Sequence, residues 1–178
     1  MSMSPKYIFV DLDETLISTT FVGRTRPDTG GMAISYIQLI GNETEEVDYY
    51  RVRLREGARM LLNELRAVAP EHVRLLTAAQ RDYAEAINTL YQFGFSTDDI
   101  HSREDMRAGN LTARDFPAGD VYLIDNLPRH ENRVKIDYLR AITDGDINYI
   151  KVAEYVGHIE NDFAFGDIQG ILDAINRK

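Results

Sequence analysis

An α/β fold with a parallel, Rossmann-like sheet is what this sequence of 178 residues predicts. Three observations point to it. Short apolar runs alternate with amphipathic stretches in the order strand, helix, strand, helix, strand. The runs are apolar enough to be buried on both faces. Three of them end in residues that carry chemistry: Asp11 and Asp13, then Thr77, then Asp125 and Asn126.

The first strand is read at Tyr7–Val10, entered after Pro5. It runs straight into three acids, Asp11, Asp13 and Glu14, within "YIFVDLDETLIS". The polar, glycine-rich "FVGRTRPDTGG" that follows reads as loop. "MAISYIQLI" and "VDYYRVRL", separated by the turn-like "GNETEE", read as a β-hairpin inserted after the first strand, over residues 19–54. From Gly57 to Val68, Leu61, Leu62, Leu65 and Val68 recur at helical spacing. "HVRLLTA" reads as a strand ending near Thr77. Arg81 to Phe93 reads as a helix with Tyr83, Ile87, Leu90 and Tyr91 on one face and Gly94 as its stop. The region from Ser96 to Gly119 reads mostly as loop with short elements. "DVYLIDN" and "INYIKVAEY" read as two further strands, and Ile168, Ile171, Leu172 and Ile175 mark a last helix. No repeat, low-complexity tract or linker interrupts the chain, so one domain over 1–178 is expected.

Composition narrows the function. Hydrophobic residues make up 44% and charged residues 28%, ordinary for a globular chain. A net charge of −9 argues against a general binder of nucleic acid or anionic membrane. There are no cysteines, which excludes disulfides, thiolate nucleophiles and cysteine-ligated zinc. "MSMSPK" has no apolar core of a secretory signal, and no run approaches a membrane span. A cytoplasmic location is expected.

Ligands of open α/β sheets bind beyond the carboxyl ends of the strands. Asp11 and Asp13 lie two positions apart. If strand geometry persists, both project to one side and Leu12 and Glu14 to the other. With Asp125 arriving from a neighbouring strand, these carboxylates form an oxygen-donor site that needs a cation to stay ionised. Mg²⁺ suits it, because it prefers oxygen and uses one or two carboxylates with waters and a substrate phosphate. The four histidines, His72, His101, His130 and His158, show no zinc spacing. The "DGD" of Asp144–Asp146 precedes a strand and reads as a turn. Arg51, Arg53 and Arg55 alternate. A solvated strand face explains Arg51 and Arg53, and a recognition surface for an anionic substrate is the other reading.

These motifs carry a family resemblance. "DLDETL" resembles the DxDx[TV] signature of the haloacid dehalogenase superfamily of phosphotransferases. More narrowly, it is similar to the phosphatases that act on the C-terminal tail of RNA polymerase II. "REGARMLLNEL", "LLTAAQRDYAEAI" and "VYLIDNLP" resemble further segments of that family, in order, over nearly the whole chain. The resemblance implies a Mg²⁺-dependent phosphatase with a small β flap in place of a large cap. In it, Asp11 is the nucleophile that becomes phosphorylated, and Asp13 is the acid and then the base. Thr77 binds the phosphate, with Ala78 beside it, and Thr15 holds the loop. Asp11, the Asp13 main-chain carbonyl and Asp125 hold the metal, with Asn126 a lesser ligand.

One departure stands out. The family's lysine between the second and fourth motifs is missing, since the four lysines are Lys6, Lys135, Lys151 and Lys178. "GNLTARD" at the expected place puts Arg114 forward, with Arg107 and Arg103 as substitutes. The expected substrate is a phosphoprotein or a small phosphate ester. The alternative is a weak or inactive module that binds Mg²⁺ and a phosphorylated partner.

Overall fold

The computed structural model describes residues 4–24, 35–40, 47–108, 116, 118–143, 145–157 and 162–177. Its centre is a parallel sheet of five strands, β1 (Lys6–Val10), β5 (Val73–Leu76), β6 (Ile100–His101), β7 (Asp120–Asp125) and β8 (Ile147–Lys151). They lie in the order β6-β5-β1-β7-β8. The first strand is thus the middle one. The period of two in "YIFV" explains why: Ile8 and Val10 point into one apolar layer, and Tyr7 and Phe9 into another. Tyr122 and Ile124 alternate in the same way with Val121 and Leu123 on β7. Both faces of the sheet are therefore dry.

Helices α1 (Ala58–Val68), α2 (Arg81–Tyr91) and α5 (Phe165–Asn176) cover the first layer. Helix α4 (Arg133–Ile142) covers the second, with Met106 of the short α3 (Arg103–Ala108) beside it. Gly57 ends the approach to α1 at φ +80°, and a Cβ there would lie 2.5 Å from the Phe163 carbonyl oxygen. At the end of α2 the left-handed residue is Gln92, two positions before Gly94, which also has positive φ.

The expected hairpin is present as the third and fourth strands, and one further strand joins it. Strands β2 (Ile17–Gly23), β3 (Ser35–Ile40) and β4 (Val47–Leu54) form an antiparallel sheet in the order β2-β4-β3. Phe21–Gly23, expected to be loop, belongs to β2 and pairs with Tyr50 and Tyr49 across a register shift. The glycine and the exposed side chains there disguise a strand whose stability comes from its partner. Helix α4 was not expected either. Strand β6 and helix α3 are the short elements of the region that reads mostly as loop.

Among the described residues, no helix is long and apolar enough to cross a membrane. Arg51 and Arg53 are exposed, as a solvated strand face requires. Arg55 departs from the alternation and is buried. Its guanidinium lies 3.7 Å from the Phe163 ring centroid and donates to the carbonyls of Thr15 and Ala153 at 3.0 and 2.9 Å.

Candidate active site

Adjacent parallel strands deliver their carboxyl ends to one edge. Asp11 follows β1 directly, Asp125 ends β7 and Thr77 follows β5. The Asp11 N–H donates to the Ile124 carbonyl at 2.9 Å, which sets Asp11 beside Asp125. Asp11, Thr15, Thr77, Asp125 and Asn126 are all buried.

The chain does not stay extended past Val10. Leu16 and Ile17 N–H groups both reach back to the Leu12 carbonyl, forming a tight turn, and Glu14 sits at φ +60°. Leu12 drops into the core. Glu14 therefore does not point away, as strict alternation would have it. Its Oε2 accepts from Asn126 Nδ2 at 3.2 Å. Thr15 is the hub of the turn. Its hydroxyl donates to Asp11 Oδ2 at 3.0 Å, with Asn126 Oδ1 the alternative acceptor at 3.2 Å, and it accepts from the Asn126 N–H at 3.1 Å.

Asp11 and Asp13 also part company. The Asp13 carboxylate accepts a short hydrogen bond from the Tyr83 hydroxyl of α2. Thr19 of β2 lies 2.6 Å from that hydroxyl and 3.3 Å from Asp13 Oδ1. Burial raises the Asp13 pKa, against the opposing pull of Tyr83, Thr19 and Lys135. The acid is thus gripped by the flap on one side and by α2 on the other. Farther out, Tyr50 packs edge-on against Tyr83, and Phe21, exposed to 54%, tilts against Tyr50.

The cation at the acids is Lys135 of α4. Its Nζ donates to Asp11 Oδ1 at 2.5 Å and to Asp125 Oδ2 at 2.7 Å, and all three side chains are almost fully buried. The other oxygens are held as well, Asp11 Oδ2 by Thr15 and Asp125 Oδ1 by the Leu127 N–H at 2.8 Å. Burial opposes the lysine's charge, but Asp11 and Asp125 more than offset it and hold its pKa above the ordinary range. Burial also pushes Asp11 up to about 7, against the pull of Lys135, with Asp125 and Asp13 adding to the rise. Two carboxylates share one ammonium, so the trio carries an excess negative charge that a proton or a further cation would relieve.

That excess is the test of whether a metal fits. Among the described residues, no three His, Cys, Asp or Glu side chains are grouped to hold a metal by themselves. The expectation of three convergent carboxylates does not hold, because Asp13 turns to Tyr83. Asp11 and Asp125 with main-chain and amide oxygens remain. They fit Mg²⁺, which needs only one or two carboxylates when waters and phosphate complete its shell.

Thr77 is buried beyond β5. Its hydroxyl accepts from the Ala79 N–H at 3.1 Å and makes no bond to the acids. Ala78 is exposed beside it, and its carbonyl accepts from Arg103 Nε at 2.7 Å. Arg103 and Arg107 are both exposed. Arg114 and His158 lie outside the described residues.

The family model described as NLI interacting factor-like phosphatase matches residues 6–178. The chain belongs to that family. Membership points to a phosphoric monoester hydrolase of the haloacid dehalogenase type. Two solved structures share the fold. One is the fission yeast RNA polymerase II CTD phosphatase Fcp1 bound to beryllium fluoride. It is 18% identical, covers 95% of this chain and 49% of that one, and has a TM-score of 0.58. The other is Fcp1 described as an essential RNA polymerase II CTD phosphatase. It is 20% identical, covers 95% and 47%, and has a TM-score of 0.59. The chain therefore spans about half the length of these neighbours. No match was found among curated protein sequences.

Lys135 is the site residue that motif reading missed. Its signal was nevertheless present. Lys135, Tyr138, Leu139 and Ile142 recur at i, i+3, i+4 and i+7, which puts a lysine on the apolar stripe of a helix.

Proposed function

We propose that the chain hydrolyses phosphomonoesters through phosphorylation of Asp11, with Mg²⁺ bound at Asp11, Asp125 and the Asp13 main-chain carbonyl, and with Asn126 as a lesser ligand. The observation that carries this reading is the division of labour between the acids. Asp11 is held among hydrogen-bond donors beside a buried ammonium, while Asp13 is held apart by Tyr83 with a raised pKa. A nucleophile must be aimed, and a general acid must stand apart from it and be able to hold a proton, which a raised pKa favours.

In the first step an Asp11 oxygen attacks phosphorus, and the bond from phosphorus to the leaving oxygen breaks. Asp13 passes its proton to that oxygen, and the alcohol departs. Water then attacks the phosphorus of phospho-Asp11. Asp13 takes a proton from it, and inorganic phosphate and the free Asp11 carboxylate result. Bound Mg²⁺ supplies charge neutralisation of the phosphoryl oxygens. Thr77 can donate its hydroxyl proton to the phosphate, since the Ala79 N–H uses only its lone pair. The exposed Ala78 follows it in sequence.

A phosphoprotein is the substrate class we favour. The neighbours' descriptions name a polymerase-tail phosphatase. The flap also offers Phe21 and Tyr50, in a row that leads to the buried Tyr83 of α2 and to Asp13, and the exposed Phe21 gives a contact for an apolar or aromatic side chain of an extended peptide. The cysteine-free composition is compatible with the reducing cytoplasm.

The test is hydrolysis of an aryl phosphate with Mg²⁺, with and without chelator, by the wild type and by Asp11→Asn. Turnover lost in Asp11→Asn and in chelator is expected. Turnover that survives Asp11→Asn refutes the nucleophile. A wild type that binds phosphate without turnover would make the chain a binding module.

A further inference from the structure

The interval between Thr77 and Asp125 contains no lysine, yet the structure has a lysine at the nucleophile. We propose that Lys135, on the helix that follows Asp125, is the cation that aims Asp11 and donates to an oxygen of the phosphoryl group, a role the motif order would assign to Arg114. This inference rests on the phosphatase reading above.

Four observations support it. First, Lys135 bonds one oxygen of each of two acids that come from different strands, and it lies 124 and 10 positions from them in sequence. It is part of the site's assembly, not a neighbour of it. Second, two of its three N–H donors are used by these carboxylates. Among the described residues the third has no protein acceptor, so it is available to a phosphate oxygen.

Third, the lysine is positioned. The buried Asn132 precedes α4 and donates from Nδ2 to the Tyr149 hydroxyl at 2.9 Å. Tyr149 in turn donates to the Leu127 carbonyl at 2.6 Å. This brace ties the loop after Asp125 to β8 and fixes where the first turn of α4 begins, and Lys135 lies in that turn. Fourth, among the described residues neither described substitute bonds Asp11 or Asp125. Arg103 is exposed and gives its Nε to Ala78, and Arg107 is exposed. Arginine and lysine are not interchangeable here. A compact ammonium can sit between two carboxylates, whereas a planar fork would demand more room.

The consequence is that the phosphate-side charge depends on how α4 docks. The chain keeps the active-site charge pattern of a phosphatase while supplying one member from a different place.

The experiment uses the full chain with Mg²⁺ and compares Lys135→Met, Arg114→Ala and Arg103→Ala by two readouts. One is kcat/KM on an aryl phosphate. The other is affinity for inorganic phosphate by calorimetry, measured in an Asp11→Asn background, where Lys135→Met does not leave an extra buried charge. Lys135→Met is expected to lower kcat/KM about 100-fold or more and to weaken phosphate binding about 10-fold or more. Arg114→Ala and Arg103→Ala should stay within a few-fold of wild type. Partial recovery of Lys135→Ala by added methylamine would support a role for the ammonium over one for the stem. Full activity and full phosphate affinity without Lys135, in a wild type that turns over, overturns the inference and leaves the phosphatase reading standing. Loss of phosphate affinity on removing Lys135, in a wild type that never turns over, upholds the lysine as the anion ligand and refutes the phosphatase reading instead.

Discussion

Replacing Tyr83 with phenylalanine removes one oxygen atom next to the proton donor and keeps the ring that packs against Tyr50. In the structure that oxygen donates to Asp13 Oδ1, and burial raises the acid's pKa while this bond restrains the rise. A hydrogen bond to an ionised acceptor contributes about 1.5–3 kcal/mol. Its loss therefore raises the Asp13 pKa by about one to two units. Thr19 at 3.3 Å can donate in its place, so Tyr83→Phe should fall near the lower figure, and Tyr83→Phe with Thr19→Val near the upper. The assay is the pH dependence of kcat/KM for two aryl phosphates, one with a poor and one with a good leaving group. Only the poor leaving group needs the proton. For it, the alkaline limb should move up by about one unit in Tyr83→Phe and about two in the double variant. For the good leaving group the limb should stay. If neither limb moves, Asp13 is not the proton donor or Tyr83 does not restrain it, and the argument from this hydrogen bond fails.

Other outcomes follow from burial and charge. Arg55→Met strips the buried Thr15 carbonyl and the carbonyl of the exposed Ala153 of their donor and breaks the stack on Phe163. A loss of about 3–5 kcal/mol is expected in chemical denaturation, with Arg55→Lys recovering less than half, because lysine lacks the fork and the plane. His101 is lowered by burial to about 4, so the folded protein favours its neutral ring. Its contribution is intact above the unfolded value of about 6.5 and is lost as the pH falls toward 4, at most about 3 kcal/mol. His101→Phe should flatten stability against pH across that window, even though it loses the bond to Tyr138. Gly57→Ala should destabilise, because a Cβ at φ +80° would collide with Phe163, and thermal melting would register it.

How much of this could be read from the chain depends on where each signal lies. The central sheet was legible because Tyr7–Val10 and Val121–Ile124 alternate between two apolar layers, and because the acids follow immediately. Strand β2 was not. Its exposed Phe21 and Val22 and its Gly23 lack an inward face of their own, and only pairing with β4 makes them a strand. The position of Glu14 could not be inferred from alternation, since the turn at Leu12–Ile17 breaks the period just where the acids begin. Lys135 was hidden for a different reason. In a charged stretch, a lysine reads as solvated unless the helix phase is known. Only the parallel pairing of β1 with β7 shows that this helix starts beside the nucleophile.

That pairing has a consequence for how the protein is made. Strand β1 is made well before β7 and α4, and it is the centre of the sheet. Its partner Val121 on one side, and the ammonium for Asp11, arrive more than a hundred residues later. Until α4 has been synthesised, two carboxylates destined for a dry interior have no lysine to share, and burying them early is unfavourable. The nascent chain must therefore hold this strand open, or keep those acids protonated or hydrated, until α4 has been made. Long-range closure of this kind slows folding and leaves an apolar edge exposed meanwhile. The cost of completing the site from a segment so distant in sequence falls on its biosynthesis rather than on its finished structure.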